Sequence, residues 1–401
     1  MPPRWYNRLL LLLSSLACLF SVADTLLNAQ DPPPPLEPVV VAQPEGTPEF
    51  KPLFPGEGLA GWTPEAGASF VNHDGMIASE GKADYPAWLR SNDIYENFIL
   101  RFEFKTGNYG EGGIFLHAPR HGRNSRVGFE IQLSDDVRDP GPVVISTGAI
   151  YGSVPPLKQA AKPLGEWNQV EVMFDWPQLK VILNGEVVQD LNVEENPDLK
   201  YRLRSGYLGL QDRGKQIVFR NLEIKALPGK EKWITLFDGK SFDGWSVLQP
   251  EGAQWKREEG DLVATDGNGY LVSEQEWQDF ELQTYVKSSP LANGGIFFRW
   301  KSLVPKDRGN EIQIEDIPDS NNPTGSVYDL AYASKFPITP GEWYLMQIRV
   351  EGPRAVIRVN GETVAETDQL NVIRAGHIAL QMHKRDAWVR FQDIKLKVLP
   401  E

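Results

Sequence analysis

Apolar and polar positions alternate with period two through most of the chain beyond residue 49. Phe98–Lys105, Phe280–Lys287, Val170–Phe174 and Leu345–Val350 each put apolar side chains on one face, as in a strand with one buried side. Lys180–Leu183 and Ala355–Val359 run into Asn-Gly, and Glu186–Val188 and Glu362–Ala365 return. That pattern predicts two β-hairpins. No stretch keeps a helical period. Many short strands at regular spacing predict an all-β protein made of two-sheet antiparallel sandwiches, a fold whose concave sheet commonly offers a ligand surface.

The pattern occurs twice. Leu53-Phe54 to Gly61-Trp62 matches Leu236-Phe237 to Gly244-Trp245, and Gly113-Ile114-Phe115 matches Gly295-Ile296-Phe297. Thr147-Gly148 with Tyr151 answers Thr324-Gly325 with Tyr328, and Gly165-Glu166-Trp167 answers Gly341-Glu342-Trp343. The copies close on Leu210-Gln211 and Leu380-Gln381, then on Phe219–Pro228 and Phe391–Pro400. An internal repeat of this length implies two tandem domains. They are expected at residues 49–228 and 232–401, with the boundary at Pro228–Lys232.

The same alternation exposes candidate chemistry. In Gly309–Asp316 and Gly128–Asp135, Glu311 and Gln313, and Glu130 and Gln132, stand two residues apart between apolar neighbours. A carboxylate and an amide therefore share one strand face. Such a row alone is ordinary solvent-face polarity; its context singles it out, because both copies follow a Gly-Gly-Ile-Phe strand, both end in Asp316 or Asp135, and both precede Thr-Gly-x-x-Tyr. Parity puts Arg299 on the side of Gly295 and Phe297, and Gln381 with His383 on one face of a later strand. Asn293, Asp316 and Tyr328 fall at strand ends or loops, where specificity groups sit. In the first copy the corresponding positions are read as Gly112 for Asn293, His117 for Arg299 and Arg213 for His383, while Glu130, Gln132, Asp135 and Tyr151 are kept. The second half thus holds the fuller set and is expected to carry most of any activity.

Charge and composition narrow the classes. With 41 basic against 54 acidic residues, a net charge of −13 and no extended Lys/Arg run, the chain has no electrostatic footprint for nucleic acid. The single cysteine, Cys18, excludes an internal disulfide or a thiolate metal cluster. Arg4 and Arg8 precede an apolar run from Leu9 to Ala23, short for a membrane span and suited to an export signal over residues 1–23. Ser15-Leu16-Ala17 before Cys18 half resembles a lipoprotein box, so a lipid anchor is the lesser alternative. Residues 24–48, with Pro32–Pro35, read as an extended linker. No Gly-x-Ser-x-Gly elbow, phosphate loop or His-Glu-x-x-His is present.

The ordered set Gly-Trp, Gly-Gly-Ile-Phe-Phe-Arg, Glu-Ile-Gln with Asp, Thr-Gly-x-x-Tyr, Gly-Glu-Trp, Asn-Gly and Leu-Gln-x-His resembles the 3-keto-disaccharide hydrolase domain family. Its members are also described as 3-keto-glucoside 1,2-lyases and 3-keto-2-hydroxyglucal hydratases. The resemblance covers both copies. It implies concanavalin-like jelly-roll sandwiches in exported bacterial proteins acting on oxidised glycosides, often with a divalent metal. In that reading Glu311 is a base or metal ligand, Gln313 and His383 are ligands or oxyanion donors, and Arg299 holds the ketone side. Glu130 and Gln132 are their counterparts, and Asn293, Asp316, Tyr328, His117, Asp135 and Tyr151 bind substrate. The competing expectation from the same sandwich is a carbohydrate-binding or adhesion module without turnover, and convergence of Glu311, Gln313 and His383 in one pocket discriminates between the two.

Overall fold

The computed structural model describes residues 39–40, 45–80, 86–136, 141–214, 217–249, 252–304, 307–317, 320–334 and 338–400. The expected export signal, Cys18 and most of the linker lie outside these residues. The two β-sandwiches of jelly-roll type expected from the pattern are present. In the first half a five-stranded sheet runs Trp62–Glu65, Trp88–Tyr95, Gly206–Gln211, Glu111–Ala118, Phe129–Ser134, opposite an eight-stranded sheet centred on Asn97–Thr106 and Ile217–Leu227. In the second half the equivalent five strands are Trp245–Leu248, Gly269–Trp277, Gly376–Met382, Asn293–Trp300 and Asn310–Glu315. A nine-stranded sheet centred on Phe280–Ser288 and Trp388–Val398 backs them.

Each core lies between its two sheets. Ile114, Leu116, Phe129, Ile131 and Leu210 meet Phe98, Leu100, Phe102, Val172 and Phe174 in the first half. Ile296, Phe298, Ile312, Ile314 and Leu380 meet Phe280, Leu282, Met346, Ile348 and Phe391 in the second. The alternation is thereby explained, since every second side chain of these strands enters the core and the other faces outward. Both Asn-Gly turns close their hairpins with positive φ at each residue, 53° and 84° at Asn184-Gly185 and 49° and 82° at Asn360-Gly361. This geometry matches the right-handed strand twist, and asparagine and glycine tolerate it best.

Two local features depart from the sequence reading. Within the stretch read as linker, Val39–Val40 pairs antiparallel with Ile234 and Thr235. Two successive β-branched residues suit an added edge strand. A single helical turn at Asn124–Val127 interrupts the β pattern, too short to leave a periodic signature.

The segment at Pro228–Lys232 is held by both halves. Glu231 accepts from Arg204 Nη1 at 2.9 Å and from Lys397 Nζ at 2.5 Å. Beside it, Val127 and Leu203 pack on Tyr285 and Leu345. The Tyr285 hydroxyl accepts the Arg120 N–H at 2.8 Å, and His121 stacks on Trp343 with centroids 5.4 Å apart.

Candidate functional site

The second glycine of each Gly-Gly-Ile-Phe strand sets the floor of the site. In the second half, Gly295 stands in register with Gln313 on one side and Gln381 on the other, and Tyr270 extends that row. Phe297 lies between Glu311 and Ala379 in the next row. Glu311 leans diagonally back over Gly295, where a Cβ would come within 2.5 Å of its Oε1. A Cβ at 295 would force that carboxylate to move. The first half repeats the arrangement: a Cβ on Gly113 would meet Glu130 Oε1 at 2.5 Å, and Phe115 and Gly113 pair with Glu130 and Gln132.

In the second half these groups open into a cleft of about 510 Å³ lined by Asn293, Arg308, Glu311, Gln313, Glu315, Ile317, Ser320, Asn321, Asn322, Tyr328, Gln381 and His383. The expected residues Glu311, Gln313, His383, Asn293 and Tyr328 thus share one pocket. Burial pushes the Glu311 carboxyl up to about 7, with Arg308 pulling down and Asp329 and Glu315 pushing further up. Such a carboxyl exchanges a proton near neutrality. The Gln313 Oε1 is buried with no protein partner, and an acceptor in that state suits a ligand hydroxyl. Asn293 Nδ2 donates to Glu315 Oε1 at 2.6 Å. Arg308 Nη2 and Gln381 Nε2 both donate to the Tyr270 hydroxyl, at 2.8 and 3.0 Å, which fixes the guanidinium and the amide.

Arg308 and Tyr270 were not found from the sequence. Arg308 sits just before the Glu-x-Gln strand and aligns with no repeated motif, and Tyr270 lies on a strand that the repeat matches poorly. Their signal was available only as a cation and a phenol near the right strands.

Arg299 is not in the cleft. It has φ of 54°, and the pairing of its strand with Gly376–Met382 shifts register between Phe297 and Trp300. Parity slips there by one residue. Phe298 remains in the core, Trp300 joins Phe297 on the outer face, and Arg299 turns inward with no exposure. Its guanidinium donates to the Gln278, Gly352 and Val372 carbonyls and to Asp279 Oδ1, all at 2.8 Å. It ties strand ends together.

His117 is the same bulge in the first half, with φ of 50°. It is fully buried, stacked on Phe174 at 4.5 Å, with its ring nitrogens on the Leu203 and Glu96 carbonyls. Burial lowers its pKa to about 4, so it stays neutral. His117 therefore neither binds substrate nor replaces a lost ligand. Asp316 also falls outside the cleft lining; its carboxylate accepts from the Ser288 hydroxyl and from Thr324 Oγ1 at 3.1 Å, anchoring the loop. Asp135 receives the Tyr109 N–H at 3.3 Å. Tyr151 and Tyr328 hold equivalent places, each donating its N–H at 2.9 Å to the carbonyl of Glu130 or Glu311.

Strand register also corrects one equivalence. Asn293 pairs with Glu315 and Glu111 with Ser134, so Glu111, not Gly112, occupies the place of Asn293. Glu111 Oε1 lies 3.3 Å from Arg213 Nη2. In the first half burial pushes Glu130 up to about 7 against the pull of Arg213 and Arg123, with Glu111 pushing up. Gln132 Oε1 is buried without a protein partner, as Gln313 Oε1 is.

The residues expected to hold a divalent metal, Glu311, Gln313 and His383, all line this cleft. Among the described residues, the group whose carboxylate and imidazole donors all lie within 4.8 Å of one another is Glu57, His73 and Asp74, exposed in the first half. Glu311 and His383 are not joined by a third such donor, and a cation beside Glu311 would face the Arg308 guanidinium.

Both halves match the model of the 3-keto-alpha-glucoside-1,2-lyase-like domain, over residues 49–225 and 232–397. A 3-keto-disaccharide hydrolase of Bacteroides thetaiotaomicron is 27% identical, over 42% of this chain and 78% of that protein. Two solved structures from Parabacteroides distasonis ATCC 8503, each named a "putative glycosyl hydrolase", are 25% identical. They cover 45% and 44% of this chain and 100% and 94% of their own, with TM-scores of 0.40 and 0.38.

Proposed function

The chain belongs to the 3-keto-alpha-glucoside-1,2-lyase-like family through both of its halves, and on that premise we propose that it hydrolyses 3-keto-glycosides by elimination followed by hydration. A ketone at C3 acidifies the proton at C2. Glu311, a carboxyl balanced near neutrality, takes that proton as general base. The C2–H electron pair forms an enediolate, which re-forms the ketone as the C1–O bond breaks and C1=C2 forms. The leaving oxygen takes a proton from His383. Water then adds to C1 as hydroxide and gives its proton to His383, and the C2 proton returns from Glu311. No oxocarbenium ion is required, so one working carboxyl suffices where ordinary glycosidases use two.

The other groups follow from position. Arg308, fixed by Tyr270, and the Gln381 amide offer positive charge and a donor to the developing oxyanion. Gln313 Oε1 accepts a sugar hydroxyl. Asn293, Tyr328 and the Ser320–Asn322 loop surround the polar part of the substrate.

The observation that carries the reading is the Glu311 carboxyl laid over Gly295 on the cleft floor. Its test is incubation of the purified protein with 3-keto-glucosides, with and without chelator, followed by assay of released aglycone. Release from a 3-keto-disaccharide abolished by Glu311→Gln supports the reading. A wild-type protein that binds these glycosides and releases nothing would return the chain to the carbohydrate-binding class. Loss of release on chelation would restore a metal to the mechanism.

The reading includes export of the protein, supported by Arg4, Arg8 and the Leu9–Ala23 run. The natural partner is an oxidised carbohydrate.

A further inference from the structure

We propose that the first half is a second glycoside site, specialised for substrates with an apolar, aromatic leaving group, where the second half takes a polar one. The chemistry assigned to it rests on the reading above; the existence of a second ligand site does not.

The glycine and the Glu-x-Gln row of the floor are kept, with Trp88 beside Gln211 in the place of Tyr270. Glu130 lies over Gly113 as Glu311 lies over Gly295, at the same 2.5 Å limit. Its carboxyl is held at about 7, and Gln132 Oε1 is a buried acceptor without a protein partner. A buried carboxyl and an orphaned acceptor are both costly to keep. A half retained only as scaffold would be more stable without them. The changes at Arg299 and His117, which suggested decay from sequence, occur at a structural bulge remote from the floor.

The rim differs as well. Thr147 and Thr324 each accept, at 2.9 Å, the N–H of the residue ending the Glu-x-Gln strand, Ser134 or Glu315. Gly148 and Gly325 each donate to Gln132 or Gln313, also at 2.9 Å. Counting back from the paired threonines, Val143, Val144 and Ile145 stand where the second cleft has Ser320, Asn321 and Asn322. They are 39%, 37% and 49% exposed. The loop is seated on the site: Ser134 Oγ donates to the Ile145 carbonyl at 3.3 Å, and Val144 accepts the Gly152 N–H, beside Tyr151, at 2.9 Å. The reacting ring lies on the conserved floor, and the leaving group, the variable part of a glycoside, meets the rim. An apolar rim favours an apolar leaving group.

The acid position changes in the same direction. His383 is replaced by Arg213, paired with Glu111. A guanidinium keeps its protons and cannot protonate a departing alkoxide, but it stabilises an anion. A phenol departs as phenolate and needs no proton at that moment, whereas a sugar hydroxyl does. In the first site Glu130 takes the C2 proton, the C1–O electron pair leaves with the phenolate, and water then supplies hydroxide to C1 and a proton to the phenolate. The C2 proton returns from Glu130.

The test compares a 4-nitrophenyl 3-keto-glucoside with a 3-keto-disaccharide on full-length protein carrying Glu311→Gln. Expected is a hundredfold or greater loss on the disaccharide, with nitrophenol release retained within about threefold. Equal loss on both substrates overturns the proposal and leaves the second-half site standing. A readout independent of turnover is calorimetric binding of phenyl glucoside to wild type and to the triple variant Val143→Ser, Val144→Asn, Ile145→Asn. About tenfold weaker binding in the variant supports the proposal, while equal affinity, or no binding to wild type, overturns it. If wild type turns over neither ketoside, the function proposed above fails and the binding comparison alone decides.

Discussion

Gly295 and Glu311 occupy overlapping space: the position a Cβ would take on the glycine is 2.5 Å from the Glu311 carboxylate oxygen. The glycine here serves close approach, not a turn. Gly295→Ala should therefore push the carboxylate off the floor and lower release from a 3-keto-disaccharide a hundredfold or more. Its stability cost should stay within about 1–3 kcal/mol, the range for overpacking. Kinetics and thermal melts on the same sample check this, and unchanged release would separate Glu311 from the chemistry.

The raised carboxyl gives a pH signature. With Glu311 at about 7, the base form is present only above that value, so release should rise through pH 7 and level off. Arg308 pulls the Glu311 value down, so Arg308→Gln should move this limb to higher pH as well as lowering the plateau. A rate profile over pH 5–9 for both proteins decides, and an unmoved limb would assign it to another group.

Stability should run the other way. Glu130 and Glu311 bind a proton more tightly folded than unfolded, since both are raised from 4.5 to about 7. Their favourable contribution is fully present below about 4.5 and is lost as pH rises through 7. Glu130→Gln should thus melt several degrees above wild type at pH 8 and close to it at pH 4. Equal melting at both would mean that Glu130 is not held neutral by burial.

Arg299 should behave as a fold residue. Arg299→Met removes the guanidinium from three carbonyls and Asp279, of which Val372 keeps Asn310 Nδ2 and Asp279 keeps the Gly352 N–H, at a cost of about 3–5 kcal/mol. Melting temperature should fall strongly while the kcat of the protein that remains folded changes little. A large kcat loss with normal melting would put the guanidinium back in the site.

The export reading predicts that protein recovered outside the cytoplasm begins between Cys18 and Gln30. N-terminal sequencing checks it, and an intact Met1 on that material would remove the reading.

The repeat, the strands, both Asn-Gly hairpins and the shared face of Glu311 with Gln313 were legible in the sequence, because each depends on residues near one another in the chain. Period two fixes a face for as long as the strand stays regular. The tertiary structure decided what lies beyond that reach. A left-handed residue at Arg299 and at His117 inverts the alternation, and no local pattern announces it, so a guanidinium and an imidazole expected on the ligand face belong to the core. Whether polar residues on separate strands converge depends on sheet register. That register brought Gln381, Gly295 and Gln313 into one row. Burial, which lifts Glu311 and Glu130 toward neutrality, is a property of the closed sheet and its loops, and the sequence carries it only through the glycines that let those carboxylates lie down.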